Sequence, residues 1–350
     1  MVERLFLGTV SALEMLSVAL GDRLGLYTAL RDAGAMTVGE FAERASIHPR
    51  YAREWLEQQA TAEFLTVDDP HHNADERVYM LPDAHVAALA DRDSLDHVAP
   101  LARLIAGMAL PMDAIVHAYR TGGGVSWDAY GVDAREGQAY INRPAFLHLL
   151  ADEWIAAMPD VAERLAALPS RIADLGCGAG YACIGMARAF PLVQIDGYDL
   201  DQASVELARN NVKDAGLDDR VTIHRKDASD PEMHGRYDLV TVLETVHDVA
   251  RPVQLLANAR AITADGGAAL VVDERVADAF GAIGDEIERM MYGWSVLCCL
   301  PAGMAESGSA ATGTVMRRSI LENYATEAGF SGVEVLPVDN DFFRLYRLRA

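Results

Sequence analysis

Cysteine is scarce in this chain. Four cysteines occur in 350 residues, and Cys177, Cys183, Cys298 and Cys299 are spaced as neither a disulfide framework nor a CxxC or Cys/His zinc cluster. That usage fits a reducing compartment, and a cytoplasmic location is expected. Positive charge is also short. Thirty lysines and arginines face 52 acids, a formal net charge of -22. Such a field repels nucleic-acid phosphates and acidic membrane surfaces at long range, and no basic patch offsets it. No unbroken apolar run of 18 residues occurs, and the start Met1-Val2-Glu3-Arg4 lacks the basic and then apolar order of a secretory signal. Nucleic-acid and membrane partners are therefore not expected. What is abundant is apolar residues, 51% of a chain longer than one typical domain, which supports two domains with a sizeable core.

Pattern divides the chain further. In residues 1–110 apolar side chains recur at helical spacing, as in Leu13, Leu16 and Leu20 and then Leu24, Tyr27 and Leu30. Thr37 with Glu40 three residues on makes a capping box for a helix over Val38–Ala45. Ile47-His48-Pro49 breaks the pattern, Arg50–Glu63 resumes it, and Phe64–Val67 and Val78–Leu81 flank a polar loop as two strands would. The outline is a winged helix-turn-helix. Its residues 36–66 hold Arg44, Arg50 and Arg53 against five glutamates, a poor balance for reading DNA. A dimerisation scaffold suits it better, and the apolar stretch Leu5–Val18 predicts a homodimer. Residues 111–170 read as a helical linker and pocket cover, with a loop at Thr121-Gly122-Gly123-Gly124-Val125.

From 171 to 350 short apolar runs alternate with helices, which signals βαβ units and a doubly wound α/β domain with a mostly parallel sheet. Strands are expected at 171–175, 194–199, 221–226, 237–243 and 267–273, with helices at about 180–189, 203–215 and 252–263. An irregular stretch follows over 276–313, then a helix near 317–328. The last two runs, Val333–Val338 and Phe342–Leu348, lie too close together for a crossover and should pair antiparallel.

The sharpest signal is Asp174-Leu175-Gly176-Cys177-Gly178-Ala179-Gly180, between the first strand and an alanine-rich helix. Close glycines let the backbone turn tightly and a ligand approach without meeting a Cβ, while the helix start offers N–H groups. A dinucleotide fingerprint needs glycine or alanine at the sixth place, but that place holds Tyr181 or Cys183, so an NAD-type reading loses ground. Asp199, followed by Leu200, ends the second strand, where a carboxylate accepts from ribose hydroxyls. Asp227-Ala228 follows the third, where a carboxylate accepts from an adenine amino group beside a small neighbour.

With Gly197-Tyr198-Asp199, Asp227-Ala228 and Tyr237-Asp238-Leu239-Val240, this series resembles the ordered motifs of class I S-adenosylmethionine-dependent methyltransferases over about 171–350. The resemblance implies S-adenosylmethionine as cofactor, its methionine end on the glycine turn, its ribose on Asp199 and its adenine on Asp227. The candidate cofactor set is Asp174, Gly176, Cys177, Gly178, Gly180, Asp199, Leu200, Asp227, Ala228 and Glu244.

The order of the whole chain is similar to small-molecule O-methyltransferases, in which a His-Asp pair follows a strand. Here Leu243-Glu244-Thr245-Val246-His247-Asp248 follows the fourth. The match implies His247 as general base, a role an imidazole suits, with Glu274 orienting it. A second orienting acid would fall in Thr312–Arg318, where none stands. Asp273 and Asp248 are the carboxylates available for a metal, but none is expected, because the helical first half resembles the metal-free enzymes.

A small methyl acceptor would be lined by Trp127, Phe146, Met290, Met291 and Trp294, with Tyr140 and His148 as further candidates, a set suited to a flat apolar molecule. Arg143, beside Asn142, is a candidate for the cofactor carboxylate. Oxygen is the favoured acceptor. Nitrogen or carbon acceptors, and a cofactor-sensing transcriptional regulator, stand as alternatives.

Overall fold

The computed structural model describes residues 1–349. Two compact units emerge: Met1–Leu110 with Tyr130–Pro144, and Pro111–Ala129 with the chain from Ala145 onward. Residues 111–170 thus divide between the units.

In the first unit the helices Val2–Arg23, Leu26–Ala33, Val38–Arg44, Pro49–Thr61, Asp83–Leu89 and Pro100–Ala109 surround a small sheet. Its strands β1 (Met36–Thr37), β2 (Thr66–Val67) and β3 (Val78–Met80) run in the order β1-β3-β2, all antiparallel. The wing pair lies where expected. β1 was not foreseen, because two residues are too few to show an alternation. The capping box forms: Thr37 Oγ1 accepts from the Glu40 N–H, and Glu40 accepts from the Thr37 N–H at 2.8 Å. The core is aromatic, with Trp55 edge-on to Tyr27 at 5.2 Å and stacked on Phe41 at 5.7 Å, all buried. The first helix buries only its last turns, at Val18, Ala19, Gly21 and Asp22, while Leu5, Phe6 and Leu13 remain 66%, 67% and 63% exposed. Val2–Arg23 is also long and apolar enough, by length and composition, to cross a membrane. That qualifies the expectation drawn from unbroken runs, since scattered serine, threonine and glycine interrupt the run without making the helix polar.

The second unit is built on seven strands: β4 (Ser170–Leu175), β5 (Val193–Asp199), β6 (Val221–Arg225), β7 (Tyr237–Leu243), β8 (Thr263–Glu274), β9 (Gly332–Val335) and β10 (Phe343–Arg349), ordered β6-β5-β4-β7-β8-β10-β9. β4 to β8 are parallel, and β10 pairs antiparallel with both β8 and β9. Successive residues serve opposite faces: Ile172 and Leu270 enter one core with Leu150 and Trp154, while Ala173 and Val271 enter the other with Leu255 and Leu321. Burial on both faces explains the continuous apolar strands. The order reverses between β4 and β7, and such a switch point opens a crevice at the carboxyl ends of the strands.

The stretch 276–313, expected to be irregular, is largely helical at its centre. Helix Glu286–Trp294 passes into a π-turn at Ser295–Cys299 and then Leu300–Gly303. Its glycines masked the periodicity. The 121–125 loop is tied down: a Cβ on Gly124 would lie 2.2 Å from Ala305 N, and the Val125 N–H donates to Pro301 O at 2.9 Å.

Candidate active site

Three glycines at the end of β4 have left-handed φ values, +82° at Gly176, +50° at Gly178 and +78° at Gly180. Their surroundings differ. A Cβ on Gly176 would lie 2.3 Å from Thr245 Oγ1, and one on Gly180 3.1 Å from Ala208 Cβ, whereas one on Gly178 would meet nothing within 4 Å. Gly176 and Gly180 are therefore packing glycines, and Gly178 faces open space. The Gly176 and Cys177 N–H groups donate to Tyr198 O at 2.8 and 3.0 Å, and Gly178 N–H donates to Asp199 Oδ2 at 2.8 Å. Gly180 caps helix Tyr181–Ala189 with no side-chain bond. The turn, open at Gly178, fits a polar ligand's approach to backbone.

Asp174 and Cys177 face inward instead. Asp174 accepts from Thr241 Oγ1 at 2.7 Å and from Cys183 Sγ at 3.4 Å. Burial pushes its pKa up to about 6, against those two bonds. A Cβ on Gly197 would lie 3.0 and 3.1 Å from the sulfurs of Cys177 and Cys183. These side chains support the turn from beneath.

Asp199 is half-buried at the end of β5, and its second oxygen accepts from the Asp201 N–H at 2.9 Å. Burial raises its pKa, opposed by those backbone bonds. Each oxygen keeps a lone pair for a ribose hydroxyl. Leu200 beside it is 54% exposed, an apolar surface at the same strand end. Asp227 accepts from the Ser229 N–H at 2.7 Å and from Arg251 at 2.6 Å, beside buried Ala228. Arg251 was not singled out from the sequence, because a partner 24 residues away leaves no local mark.

Glu244 follows β7 at φ +50°, unusual for a residue with a side chain, and its N–H donates to Val272 O at 2.7 Å. The bend sends Thr245 against Gly176 and places His247 beneath the ends of β7 and β8. His247 is 2% exposed. Its Nδ1 lies 2.9 Å from Asp273 Oδ1 and 3.0 Å from Glu274 Oε2, and its Nε2 lies 3.2 Å from Asp248 Oδ1. Burial alone would lower its pKa, but Asp248, Glu274 and Asp273 together hold it well above the ordinary imidazole value. Burial and Asp273 push Glu274 up as well, against the pull of His247. The Gly313 N–H donates to His247 O at 3.1 Å, so the segment expected to carry a second acid supports the histidine by backbone.

Asp273 thus joins the assembly, although the sequence marked it only as a metal candidate. Cys299, in the π-turn, was not singled out at all, and its sulfur lies within 4.8 Å of both Asp248 and His247. Nothing local in the sequence joins residue 299 to residue 247.

The acceptor-lining candidates are less gathered. Phe146 packs into the core, edge-on to Trp154 at 6.1 Å. Met290, Met291 and Trp294 share helix Glu286–Trp294, with Met291 buried. Trp127 opens a short 3-10 turn, His148 is exposed, and Tyr140 lies in the first unit under the Arg92 guanidinium, 4.7 Å from the ring centre. Arg143 is engaged by the Arg92 carbonyl at 2.7 Å and by Asp93. As a cofactor-carboxylate donor it would have to leave or share those partners.

Residues 173–269 match the family model for a methyltransferase domain, and residues 11–91 match that for the Rv2258c-like winged HTH domain. A curated relative, the ribosomal protein uL3 glutamine methyltransferase of Bradyrhizobium diazoefficiens, is 41% identical over 70 residues, 20% of this chain and 22% of the relative. This chain spans less than half the length of the first curated relatives it matches. Among solved structures it is similar to the mitomycin 7-O-methyltransferase MmcR, with TM-score 0.68 and 20% identity, covering 99% of this chain and 96% of that one. Human N-acetylserotonin methyltransferase in complex with SAM gives TM-score 0.65 and 17% identity, covering 100% and 97%. Those two likenesses establish a shared fold from end to end.

Proposed function

We propose, from a methyltransferase domain preceded by a winged helix-turn-helix domain, that this chain moves the methyl group of S-adenosylmethionine to a hydroxyl oxygen of a small apolar or aromatic molecule. One observation carries the reading. The open glycine turn, Asp199 and the buried His247 assembly sit at the carboxyl ends of the neighbouring strands β5, β4, β7 and β8, with Thr245 in contact range of Gly176. Bound there, S-adenosylmethionine supplies an electrophilic methyl carbon. The chain's own residues do the rest. The turn around Gly178 receives the methionine end, Asp199 accepts from the ribose hydroxyls, and Asp227 accepts from the adenine amino group with Leu200 and Ala228 beside it.

His247 takes the acceptor's proton. When the ring is neutral with its one N–H on Nδ1, held by Asp273 and Glu274, Nε2 is the nitrogen that accepts. Asp273 fixes the ring through Nδ1 and stands in for the second orienting acid that the chain lacks. The acceptors named for two fold neighbours, a mitomycin and N-acetylserotonin, are small molecules, which supports a small acceptor. Nitrogen or carbon acceptors need less base assistance, so the acid-ringed histidine favours oxygen.

Calorimetry with pure protein tests the reading. S-adenosylhomocysteine should bind once per chain and NAD should give no heat. Heat with NAD and none with S-adenosylhomocysteine would overturn it.

The exposed apolar flank at Leu5, Phe6 and Leu13 supports a homodimer, because association would remove it from water. Light scattering should read twice the mass of one chain, and a monomer at micromolar concentration would refute the idea. In the winged unit Arg50 pairs with Glu54 at 2.5 Å and Arg53 pairs with Asp75, which leaves little charge for phosphates and favours the enzyme over a DNA-binding regulator.

A further inference from the structure

His97 is 2% exposed, and neither of its ring nitrogens has a hydrogen-bond partner among the described residues. A neutral imidazole carries one donor and one acceptor, and leaving both unpaired away from water is destabilising. A proton makes the position worse, because an unpaired buried charge is costlier still. His97 lies in residues 91–99, a run of turns between helices Asp83–Leu89 and Pro100–Ala109. Few bonds close this segment. The Val98 and Ala99 N–H groups both donate to Ala88 O at 3.1 Å, and the His97 N–H donates to Ser94 O at 3.1 Å. From helix Gly131–His148, Arg143 grips the Arg92 carbonyl at 2.7 Å and the Asp93 carboxylate.

The charges around the ring leave it without a counter-ion. Burial holds its pKa down to about 4, with Arg92 and Arg143 adding to the effect and Asp91 and Asp93 opposing it. The acids of the neighbouring helices, Asp22, Asp133 and Glu136, pair with Arg103 instead, at 3.7, 2.8 and 2.8 Å.

We propose that His97 is a proton-operated latch: while neutral it lets residues 91–99 close over it, and a proton on the ring drives that segment open to water. The direction follows from linkage. A ring that titrates at about 4 when covered, and near its ordinary 6.5 when hydrated, takes up its proton first in the open form. Closure is therefore at full strength above about pH 6.5, weakens about tenfold per pH unit below it, and stops changing at about pH 4. Opening also withdraws from Arg143 its Arg92 and Asp93 partners, which both lie on the segment. The latch sits wholly in the first unit and does not depend on the methyl-transfer reading.

Hydrogen exchange on the full-length protein tests it. Corrected for intrinsic exchange, the protection of the Val98 and Ala99 amides should fall about 30-fold from about pH 7.5 to about pH 5, a range above ordinary carboxylate titration. The Leu56 amide, in the buried part of helix Pro49–Thr61, should keep its protection. His97→Gln and His97→Leu should each abolish the fall, with folding checked by circular dichroism. In the parent chain itself the His97 ring, followed by nuclear magnetic resonance, should titrate at about 4. Constant protection at Val98 and Ala99 in the parent, an undiminished fall in a folded variant, or a ring that titrates at the ordinary imidazole value would each overturn the latch.

Discussion

Gly178→Ala should leave stability nearly unchanged and weaken S-adenosylhomocysteine by tenfold or more, while Gly176→Ala should lower the stability of the fold markedly. Both residues have left-handed φ, so each alanine pays a backbone strain of about 1–2 kcal/mol. Only at Gly178 does the new methyl group enter open space, and that space is the one a ligand would fill. Each tenfold loss of affinity corresponds to about 1.4 kcal/mol of hindered contact. At Gly176 the methyl group meets the stiff Thr245 side chain, which cannot rotate away, so the strain and the clash add to more than about 2 kcal/mol. Thermal unfolding and calorimetry on both variants separate the effects. Equal affinity for Gly178→Ala and the parent chain would remove the glycine turn from the cofactor site.

His247→Ala should reduce turnover by about 10²–10⁴-fold with cofactor affinity unchanged. The pH dependence gives a second readout. Because three carboxylates hold the ring's proton, kcat should rise with pH through a value above the ordinary imidazole range, and that limb should vanish in the variant. Asp273→Asn removes one of those carboxylates and should move the limb to lower pH. Turnover near the parent level in His247→Ala would make the residue a structural histidine, and the acceptor would then lose its proton to water.

The positions of these groups were legible in the sequence to different depths. The central strands β7 and β8 were readable as near-continuous apolar runs buried on both faces, whereas β5 and the edge strand β6 were readable by alternation, with Asp199 and Asp227 at their ends. The capping box at Thr37 was readable because both partners lie within one turn. Direction was not readable. Asp174 sits beside Gly176 in sequence yet faces Thr241 across to β7, a choice made by the pleat of β4. The association of Asp273 with His247 depends on β7 and β8 lying side by side, and that of Cys299 on a π-turn that no periodicity announces. The acceptor-lining set suffered most, since aromatic and thioether side chains serve cores as readily as pockets, as Phe146 does beside Trp154.

Glu244 stands at dihedral angles where glycine would sit at ease. Such a residue is a bent spring at the outlet of the central strand, and the force that keeps it bent comes from its neighbours. The amide grip on Val272 and the wedge of Thr245 against Gly176 are that force. Loosening either one lets the strand outlet recoil, so the fidelity of the cradle and the aim of the histidine rise and fall together.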